Sequence, residues 1–556
     1  MTQDLRDRAK AWAAVDPDPE TAAELRALID RDDDEATEEL AARFSGRLQF
    51  GTAGLRGELG AGPMRMNRVI VRRAAWGLVR HLLEEDPTSA ERGIVIGCDA
   101  RINSAAFAED TARVAAALGM RALVLPERVP TPVLAFSITE LGTAAGVMVT
   151  ASHNPPKDNG YKVYLGTGAQ IVPPHDVEIS AWIDRAPDEV PVCELDDPRI
   201  VRLGGELVDR YIDAVPVAAR FDVPVTVAYT PVHGVGGRVL LRAFEHAGLP
   251  EPTVVDSQFE PDPSFSTVTF PNPEEPGTMD LVIDLAQRID ADVAIANDPD
   301  ADRLGVAIPT GDGSWRLLAG DEIGWLLADH RLRATAALGA DRLVVTTYVS
   351  SSLLGEMAAA AGVQYAETST GFKWIARAAV ADPALVRVRV RAGARLPGRT
   401  APRQGRHHRR GRVRRTRRRG QAGWSHRAGP ARRPRGAIRA PRDQGDRCGC
   451  RRPRGGGRRS ASAAPPTALA GRAVTEVTWI ADAGLLRCQL EGGVRVQVRP
   501  SGTEPKVKIY GEAVGETPAP FVDAMAGSSP ADQAEAVRPA GCGAKVECLV
   551  GRSRPR

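Results

Sequence analysis

The chain has 556 residues, more than one hydrophobic core supports, so several domains are expected. No apolar run approaches the roughly 20 residues of a membrane-spanning helix, and the charged N-terminus lacks the apolar region of a secretion signal. Seven cysteines are scattered without the spacing of a zinc site or a disulfide framework. These features exclude a membrane protein and a disulfide-rich secreted domain, and they predict a soluble, cytoplasmic protein.

The formal net charge of +3 hides an uneven distribution of basic residues. Residues 391–460 carry 25 arginines, no lysine and only two acidic residues, whereas acidic residues outnumber basic ones elsewhere. GC-rich DNA read out of frame encodes arginine, proline, glycine and alanine, so we interpret residues 387–470 as a frame-disrupted segment. A genuine disordered insert and a nucleic-acid-binding tail are the alternatives. In each case the low apolar content predicts disorder.

In chain order, the rest of the sequence alternates apolar, β-branched runs with amphipathic stretches. Predicted strands that lead into polar or glycine-rich loops lie at residues 93–97, 146–149, 224–228, 293–296 and 343–347. This pattern predicts buried parallel strands flanked by helices, and ligands in such sheets bind beyond the carboxyl ends of strands. Residues 494–498 and 507–510 are two short predicted strands joined by a loop. They indicate a smaller C-terminal α+β domain with antiparallel pairing.

The first candidate site is the loop TASHNPPKDNGYK at residues 150–162, which follows a predicted strand. Its proline and Asn-Gly residues force a turn that holds the hydroxyl of Ser152 exposed. A serine accepts a phosphoryl group when its position is fixed and its charge is compensated. His153, Lys157 and Lys162 supply groups that steady phosphate charge or move a proton. The alternative is a polar loop with a structural Ser-His pair, but so long a run of this composition favours a nucleophile.

The second candidate site is NDPDADR at residues 297–303, which also follows a predicted strand. Three carboxylates at alternate positions of an extended turn point to the same side: Asp298, Asp300 and Asp302. Such oxygen ligands suit Mg²⁺, and a phosphate on Ser152 would complete its shell. The alternative is a solvated acidic turn, as expected for residues 16–19, which lead into a predicted helix without a preceding strand. The preceding strand and Arg303 favour metal binding for the second motif.

Three further loops offer groups that bind phosphate or sugar. In RPSGT, an arginine fork, two hydroxyls and a glycine N–H can surround a phosphate, with a plain hairpin turn as the alternative. The residues concerned are Arg499, Ser501, Gly502 and Thr503. GTAGLRG at residues 51–57, which contains Arg56, and TSTGFKW at residues 368–374 offer cation and sugar contacts. Glycine turns are the alternative for these two.

These motifs together resemble the α-D-phosphohexomutase superfamily, specifically the phosphoglucomutase/phosphomannomutase branch with a long N-terminal extension. The matching segments are GTAGLRG (51–57), TASHNPPKDNGYKVY (150–164), YTPVHGVGG (229–237), PNPEE (271–275), NDPDADRLG (297–305), ETSTGFKWI (367–375) and RPSGTEPKVKIY (499–510). The resemblance implies an α/β fold class: three similar α/β domains and a smaller C-terminal α+β domain around a central cleft, with a disordered arginine-rich segment.

The implied domains follow the order of the motifs. They are an N-terminal extension with the catalytic-serine domain (1–200), a metal-binding domain (201–312), a partial sugar-binding domain (313–386), the arginine-rich segment (387–470) and a phosphate-binding domain (471–556). By resemblance, Ser152 is the phosphoserine of the active form, and its phosphate binds Mg²⁺ together with the three aspartates. Lys162 is the implied acid/base, and Arg56 is implied to stabilise, with the metal, the charge on the transferred group. His153, which the loop itself offers as a group that steadies phosphate charge or moves a proton, completes the predicted catalytic residues.

The resemblance also implies how the substrate is held. Arg303 is implied to lie beside the reacting phosphate. The TSTGFKW loop offers further contacts to the substrate through three residues: Thr370, Gly371 and Lys373. The non-reacting phosphate is gripped by Arg499, Ser501, Gly502 and Thr503. One departure concerns a sugar-recognition loop with a glutamate, which members of the superfamily carry shortly after the position of Trp374. The expected region here reads LVRVRV at residues 385–390 and continues into arginine-rich sequence.

The implied activity is that of an isomerase of carbohydrate metabolism. It interconverts hexose 1-phosphate and hexose 6-phosphate of glucose or mannose, through a phosphoserine and a bisphosphorylated sugar, with Mg²⁺ as cofactor. The alternatives are a catalytically impaired homologue without the sugar-recognition loop, a phosphopentomutase, and a sugar-bisphosphate synthase. The expected partners are small-molecule sugar phosphates, with no membrane and no nucleic acid. The preferred sugar and the oligomeric state are not readable from the sequence.

Overall fold

The computed structural model describes residues 2–31, 33–52, 54–126, 128–215, 224–380, 386–389, 466–500, 506–515, 518–527, 545–549 and 553–554. Most of the segment 387–470, for which disorder is predicted, lies outside the described residues, as do Ser501, Gly502 and Thr503. Among the described helices, none combines the length and the apolar composition needed to cross a bilayer.

The N-terminal extension consists of three helices, α1 (Gln3–Val15), α2 (Pro19–Asp30) and α3 (Asp34–Arg43). Each begins after a residue whose side chain accepts a hydrogen bond from a first-turn N–H: Thr2, Asp18 and Asp33. Such caps satisfy N–H groups that have no partner within the helix. The buried side chains of Trp12, Leu25 and Leu40 belong to the same hydrophobic core as the first sheet. The extension is therefore packed onto the first α/β domain.

The first α/β domain contains a six-stranded mixed sheet with the strand order β1-β5-β4-β2-β3-β6. Its elements are β1 (Leu55–Glu58), α4 (Arg68–Glu85), α5 (Ser89–Arg92), β2 (Ile94–Cys98), α6 (Ser104–Ala117), β3 (Ala122–Val124), α7 (Thr131–Leu141), β4 (Ala145–Val149), β5 (Asp158–Leu165), α8 (His175–Ile183), β6 (Ile200–Arg202) and α9 (Glu206–Ala214). Strands β2, β3, β4 and β6 are parallel, as predicted, but β5 and β1 are antiparallel additions. The loop after β4 reverses the chain directly, so β5 returns alongside it without a crossover helix.

The second α/β domain repeats this arrangement in a five-stranded sheet with the order β11-β10-β9-β7-β8. Its elements are β7 (Val227–Thr230), α10 (Gly237–Ala247), β8 (Thr253–Val254), α11 (Asp256–Phe259), α12 (Asp280–Arg288), β9 (Val293–Asn297), β10 (Leu304–Pro309) and β11 (Trp315–Leu317). Again the strand after the candidate loop, β10, pairs antiparallel with the strand before it. The strand predicted at residues 224–228 begins only at Val227, since Pro224 has no N–H to donate and the N–H of Thr226 donates to the side chain of Asp292 instead.

The third domain has a parallel three-stranded sheet, β13-β12-β14, and the fourth has a mainly antiparallel sheet, β15-β16-β17-β18-β19-β20, with β21 also paired to β19. The third contains α13 (Gly320–Ala334), β12 (Arg342–Thr347), α14 (Leu353–Ala360), β13 (Gln364–Thr368), α15 (Phe372–Val380) and β14 (Val386–Arg389). The fourth contains β15 (Ala468–Leu469), β16 (Arg472–Ile480), β17 (Leu485–Leu490), β18 (Val494–Pro500), β19 (Lys506–Val514), α16 (Ala519–Gly527), β20 (Lys545–Leu549) and β21 (Ser553–Arg554). The predicted fold class, three α/β domains and a smaller α+β domain, is confirmed.

A buried carboxylate joins the third and fourth domains. Glu512 on β19 accepts hydrogen bonds from the hydroxyl of Ser351, at 2.6 Å, and from the main-chain N–H of Ser352. Arg495 on β18 pairs with Glu512 at 2.8 Å and donates to the carbonyl of Ser350. Because these groups exclude water, the bonds fix the fourth domain against the loop that follows β12.

Candidate active site

The loop that follows β4 carries Ser152 in a tight turn. Its backbone is in the left-handed region, with φ of 54°, and its N–H donates to the hydroxyl of Thr150 at 2.8 Å. The N–H of Asn154 donates to the carbonyl of Ala151, which closes the turn. A non-glycine residue in this region of φ and ψ is uncommon, and such residues cluster at functional sites. Ser152 is only 2% exposed.

Arg101, in the loop after β2, holds this turn from behind. Its guanidinium donates to four main-chain carbonyls of the Ser152 loop at distances of 2.6 to 3.0 Å: those of Ser152, Asn154, Pro155 and Asp158. Asp99 in turn accepts a bond from the N–H of Arg101 at 3.0 Å and from the hydroxyl of Ser104 at 2.7 Å. The turn is therefore fixed by a planar donor with several directed bonds.

The loop after β9 gathers the three aspartates. Asp298, Asp300 and Asp302 are each at most 1% exposed, and one oxygen of each lies within 4.8 Å of the others. The second oxygen of Asp298 accepts the N–H groups of Asp302 and Arg303, at 3.1 and 2.9 Å. Burial, and then the charges of Asp300 and Asp302, raise the pKa of Asp298 to about 8. Such a set of crowded carboxylates fits a hard divalent cation, because an ion offsets charge that water cannot reach.

The two loops meet at one point between the first and second sheets. The hydroxyl of Ser152 donates to Asp298 Oδ2 at 3.0 Å. Lys162 on β5 is 4% exposed, and its Nζ lies 2.6 Å from Asp300 Oδ2 and 3.3 Å from Asp302 Oδ2. The sequence motifs, 146 residues apart, thus form a single cluster of one hydroxyl, three carboxylates and one ammonium group. This donor set, all oxygen apart from the lysine, could hold a metal ion together with a phosphate.

Other predicted residues surround this cluster. Arg56 on β1 donates to Asn154 Oδ1 at 2.8 Å, and Arg303 Nε lies 3.8 Å from Asp298 Oδ2. The ring of His153 lies 3.2 Å from the hydroxyl of Ser152. Burial, followed by the nearby charges of Arg303 and Arg56, lowers the pKa of His153 to about 3. His153 is therefore neutral at physiological pH, which suits a hydrogen-bonding role better than that of a fixed cation.

The predicted sugar and phosphate contacts lie on the third and fourth domains. Thr370 and Arg499 line one cavity of about 130 Å³, together with Tyr348 and Asp482. Arg499 also donates to the hydroxyl of Tyr510 at 3.1 Å. This cavity brings together two motifs that are 129 residues apart in the chain.

Two further residues of the TSTGFKW loop lie at the boundary with the first domain. Gly371 has φ of 133°, a conformation that side chains rarely adopt, and it directly precedes α15. Lys373, in the first turn of α15, donates a hydrogen bond to the hydroxyl of Thr52 in the GTAGLRG loop. Burial lowers the pKa of Lys373. The two glycine-rich motifs therefore meet, as loops that share one cleft would.

Two residues of the site carry no local signal of their role in the sequence. The hydroxyl of Thr131, at the start of α7, donates to Asp300 Oδ2 at 2.5 Å, and its N–H donates to the carbonyl of Asp300. Arg101 is marked only by its position after a predicted strand. In both cases the partner lies on a loop more than 50 residues away, so only the assembled sheets reveal the contact.

Comparison with known proteins identifies the class of protein that this fold and site define. Four domain models of the phosphoglucomutase/phosphomannomutase family match the chain in order: α/β/α domain I at residues 47–189, domain II at 209–311, domain III at 319–386 and the C-terminal domain at 458–519. Together they match more than half of the chain. The chain belongs to this family of the α-D-phosphohexomutase superfamily, and the resemblance noted in the sequence is confirmed.

Relatives that are similar to this chain are named for different sugar phosphates. The chain is 46% identical over 319 residues to the "Probable phosphomannomutase" of Haemophilus influenzae, covering 56% of this chain and 64% of the relative. It is 37% identical over 417 residues to the phosphoribomutase of Saccharomyces cerevisiae, covering 68% and 65%. The match thus spans slightly less than two thirds of the length of these curated relatives. Relatives that are 35% and 34% identical are named phosphopentomutase in Mus musculus and glucose 1,6-bisphosphate synthase in Homo sapiens.

A solved structure agrees with the fold. The crystal structure of a proposed phosphomannomutase from Thermus thermophilus is similar with a TM-score of 0.52 and 26% sequence identity. The similarity covers 64% of this chain and 77% of that one.

Proposed function

We propose that this chain is a sugar-phosphate mutase that moves a phosphoryl group between two oxygens of one sugar through phosphorylated Ser152. The observation that carries the proposal is the 3.0 Å hydrogen bond between the hydroxyl of Ser152 and Asp298 Oδ2. That distance brings the nucleophile within reach of an ion held by the three carboxylates. Family membership supports the same chemistry.

In the proposed cycle, the bond between phosphorus and Ser152 Oγ breaks as a sugar hydroxyl oxygen bonds to the phosphorus. In the first transfer Lys162, as its neutral amine, takes the proton of that sugar hydroxyl, and the leaving Ser152 Oγ takes up a proton. In the second transfer both protons move in the opposite direction: Ser152 loses its proton and Lys162 protonates the leaving sugar oxygen. The bisphosphorylated sugar turns over in the cleft, and its other phosphate returns to Ser152. Arg56, Arg303 and His153 would hold the transferred group in line.

Mg²⁺ is the proposed cofactor, and Asp298, Asp300, Asp302 and the phosphate of Ser152 would hold it. When bound, it supplies positive charge against the charge that develops on the transferred phosphoryl group. Thr370, Gly371 and Lys373 would contact the sugar. The phosphate that does not react would lie against Arg499 and the loop that continues through Ser501, Gly502 and Thr503.

The first experiment tests the nucleophile. The full chain is incubated with glucose 1,6-bisphosphate and Mg²⁺, and its intact mass and phosphorylation site are measured. We expect one added phosphoryl group on Ser152 and none on the Ser152→Ala variant. Phosphorylation that persists in Ser152→Ala, or none on the unmodified chain, would contradict the proposal.

The second experiment identifies the substrate. Coupled assays with glucose 1-phosphate, mannose 1-phosphate and ribose 1-phosphate compare hexose with pentose turnover, and the Ser152→Ala variant gives the background. We expect a hexose phosphate to have the highest kcat/KM. A preference for ribose 1-phosphate would identify a phosphopentomutase. Net formation of bisphosphate without isomerisation would identify a synthase.

A catalytically impaired homologue is the second candidate function, and one observation favours it. The matches to the third and fourth family domains are separated by residues 387–457, where the expected sugar-recognition glutamate is missing. Without contacts to its hydroxyls the sugar is poorly oriented, and this raises the activation free energy of phosphoryl transfer by several kcal/mol. Phosphorylation of Ser152 without turnover of any tested sugar would support this candidate.

A further inference from the structure

A second group of candidate metal ligands lies between α4 and α8, among residues that the proposed mutase chemistry does not use. It consists of two histidines and two glutamates: His81, Glu85, His175 and Glu178. One ligand atom of each lies within 4.8 Å of the others. His81 and Glu85 are four residues apart on α4, whereas His175 and Glu178 are three apart on α8. Both spacings place side chains on one face of a helix.

The distances between the candidate ligand atoms are close to, and mostly slightly longer than, those of a four-coordinate site. His81 Nε2 lies 3.3 Å from His175 Nδ1, 3.4 Å from Glu85 Oε2 and 4.0 Å from Glu178 Oε2. His175 Nδ1 lies 3.7 Å from Glu85 Oε1 and 3.6 Å from Glu178 Oε2. Two ligands bound tetrahedrally to one zinc ion at its usual bond lengths lie about 3.4 Å apart. The cluster therefore needs only small side-chain adjustments to surround an ion.

The frame that carries these side chains is closely packed. Gly77 lies one turn before His81 on α4, and a Cβ added there would meet Ile183 Cγ1 at 2.5 Å and Ile183 N at 2.8 Å. The two helices thus approach backbone to backbone at Gly77. Such contact holds the four ligands in place before an ion arrives, and this lowers the cost of ordering them.

One side of the four-residue cluster is buried and the other side is open to solvent, so an ion can enter it. The side chain of His81 is 4% exposed, whereas those of Glu85 and Glu178 are 46% and 45% exposed. The carboxylates therefore form the solvent side of the site, and the buried imidazole forms its base.

Without an ion, the same contacts have a different explanation: a protonated histidine shared between two glutamates. A proton satisfies one or two of the contacts, whereas a cation satisfies the two ring nitrogens and both carboxylates together. The convergence of all four ligand atoms favours the cation.

We propose that His81, Glu85, His175 and Glu178 form a second metal site, which binds Zn²⁺ or another borderline divalent ion and fastens α8 to α4. Two imidazoles with two carboxylates suit such ions, in contrast to the all-oxygen set offered by the aspartates. The site is independent of the proposed mutase activity.

Co²⁺ is the probe of choice, because its visible absorption distinguishes four-coordinate nitrogen-containing sites from six-coordinate oxygen sites. The full chain is freed of metal by chelation and titrated with Co²⁺, both unmodified and as Asp298→Asn, which weakens binding at the aspartates. We expect the intense bands of four-coordinate Co²⁺ in both proteins. We also expect Zn²⁺ to displace the Co²⁺ at one equivalent.

Ligand variants locate the ion. His175→Ala and Glu178→Gln, both at partly exposed positions, are expected to lose the bands or to bind Co²⁺ at least roughly tenfold more weakly. The matched control is His246→Ala, which removes a surface histidine that pairs with Asp213. Far-UV circular dichroism without metal shows whether each variant is folded. Absence of the bands from the unmodified chain, or bands in folded His175→Ala that appear with unchanged Co²⁺ affinity, would overturn the proposal.

Discussion

At the scale of single residues, the orientation of Ser152 depends on a guanidinium that never touches its hydroxyl. Arg101 holds four carbonyls of the loop, so the turn keeps its shape only while that planar fork is present. A lysine in its place has a single ammonium group, which cannot reach all four acceptors. The position of the proposed nucleophile is thus set by a residue at the end of a neighbouring strand.

The expected effect of Arg101→Lys is a fall in kcat of about 100-fold, because misplacing a reacting group by about 1 Å costs that much. Initial rates with the preferred sugar phosphate, and the fraction of Ser152 phosphorylated, check this. Arg113→Lys is the control, since Arg113 holds one carbonyl, that of Cys193. Equal activity of the two variants would show that the turn does not depend on Arg101.

A second prediction at this scale concerns Gly54 in the GTAGLRG loop. Its φ is 77°, and an added Cβ would lie 1.8 Å from the carbonyl oxygen of Tyr161. We expect Gly54→Ala to lower the free energy of unfolding by at least about 3 kcal/mol, measured by urea denaturation. Gly51→Ala is the matched control, because a Cβ there would meet nothing within 4 Å. A Gly54→Ala chain as stable as Gly51→Ala would contradict this steric argument.

At the scale of secondary-structure elements, helix α7 connects the first domain to the loop of the second domain that carries the three aspartates. Thr131, its first residue, donates from its hydroxyl and its N–H to the carboxylate and the carbonyl of Asp300. A ligand carboxylate that is hydrogen-bonded in this way is oriented before the ion binds.

Thr131→Val should therefore weaken divalent-ion binding at the aspartates by roughly tenfold, while Thr131→Ser should restore it. Isothermal titration with Mn²⁺, together with the Mg²⁺ dependence of any activity, measures the change. Thr139→Val is a control on the same helix, because Thr139 bonds only to the local carbonyl of Phe136. An unchanged affinity in Thr131→Val would show that Asp300 needs no such support.

The strands also show which parts of the fold can be predicted from the sequence. The strands before both candidate loops were predictable because apolar, β-branched runs end in polar turns. The antiparallel β5 and β10 were not, since each lies inside or just behind a motif whose polar residues obscure the period of a strand. Ser152 and the aspartates have local signatures in the sequence, whereas Arg101 and Thr131 act through tertiary contacts that no local pattern encodes.

At the scale of the whole molecule, the junction between the third and fourth domains contains a carboxyl group, that of Asp321, whose neutral form is stabilised by burial. Burial, with a smaller contribution from the charge of Glu512, raises the pKa of Asp321 to about 6. Asp321 accepts a bond from the N–H of Ser351, which lies beside Glu512 and Arg495. Asp321 has a higher pKa in the folded than in the unfolded chain. Its contribution to the free energy of unfolding is therefore complete below about pH 4 and is lost as the pH rises through about 6.

An asparagine at position 321 does not ionise, so it avoids the cost of a buried carboxylate at neutral pH. We expect Asp321→Asn to match the unmodified chain near pH 4 and to exceed its free energy of unfolding by about 2–3 kcal/mol at pH 7. Urea denaturation across this pH range measures the difference. Asp329→Asn, at an exposed ion pair on the same helix, is the control. A difference independent of pH would mean that Asp321 titrates normally.

The contact between Ser152 and Asp298 joins two separately packed hydrophobic cores. An ion bound there contributes its binding free energy to the docking of one sheet on the other, by mass action. If the aspartates hold the proposed ion, cation availability would affect the cohesion of the two domains as well as the proposed chemistry. After the ion is removed by a chelator, the first and second domains would separate at a lower temperature than that at which either hydrophobic core unfolds.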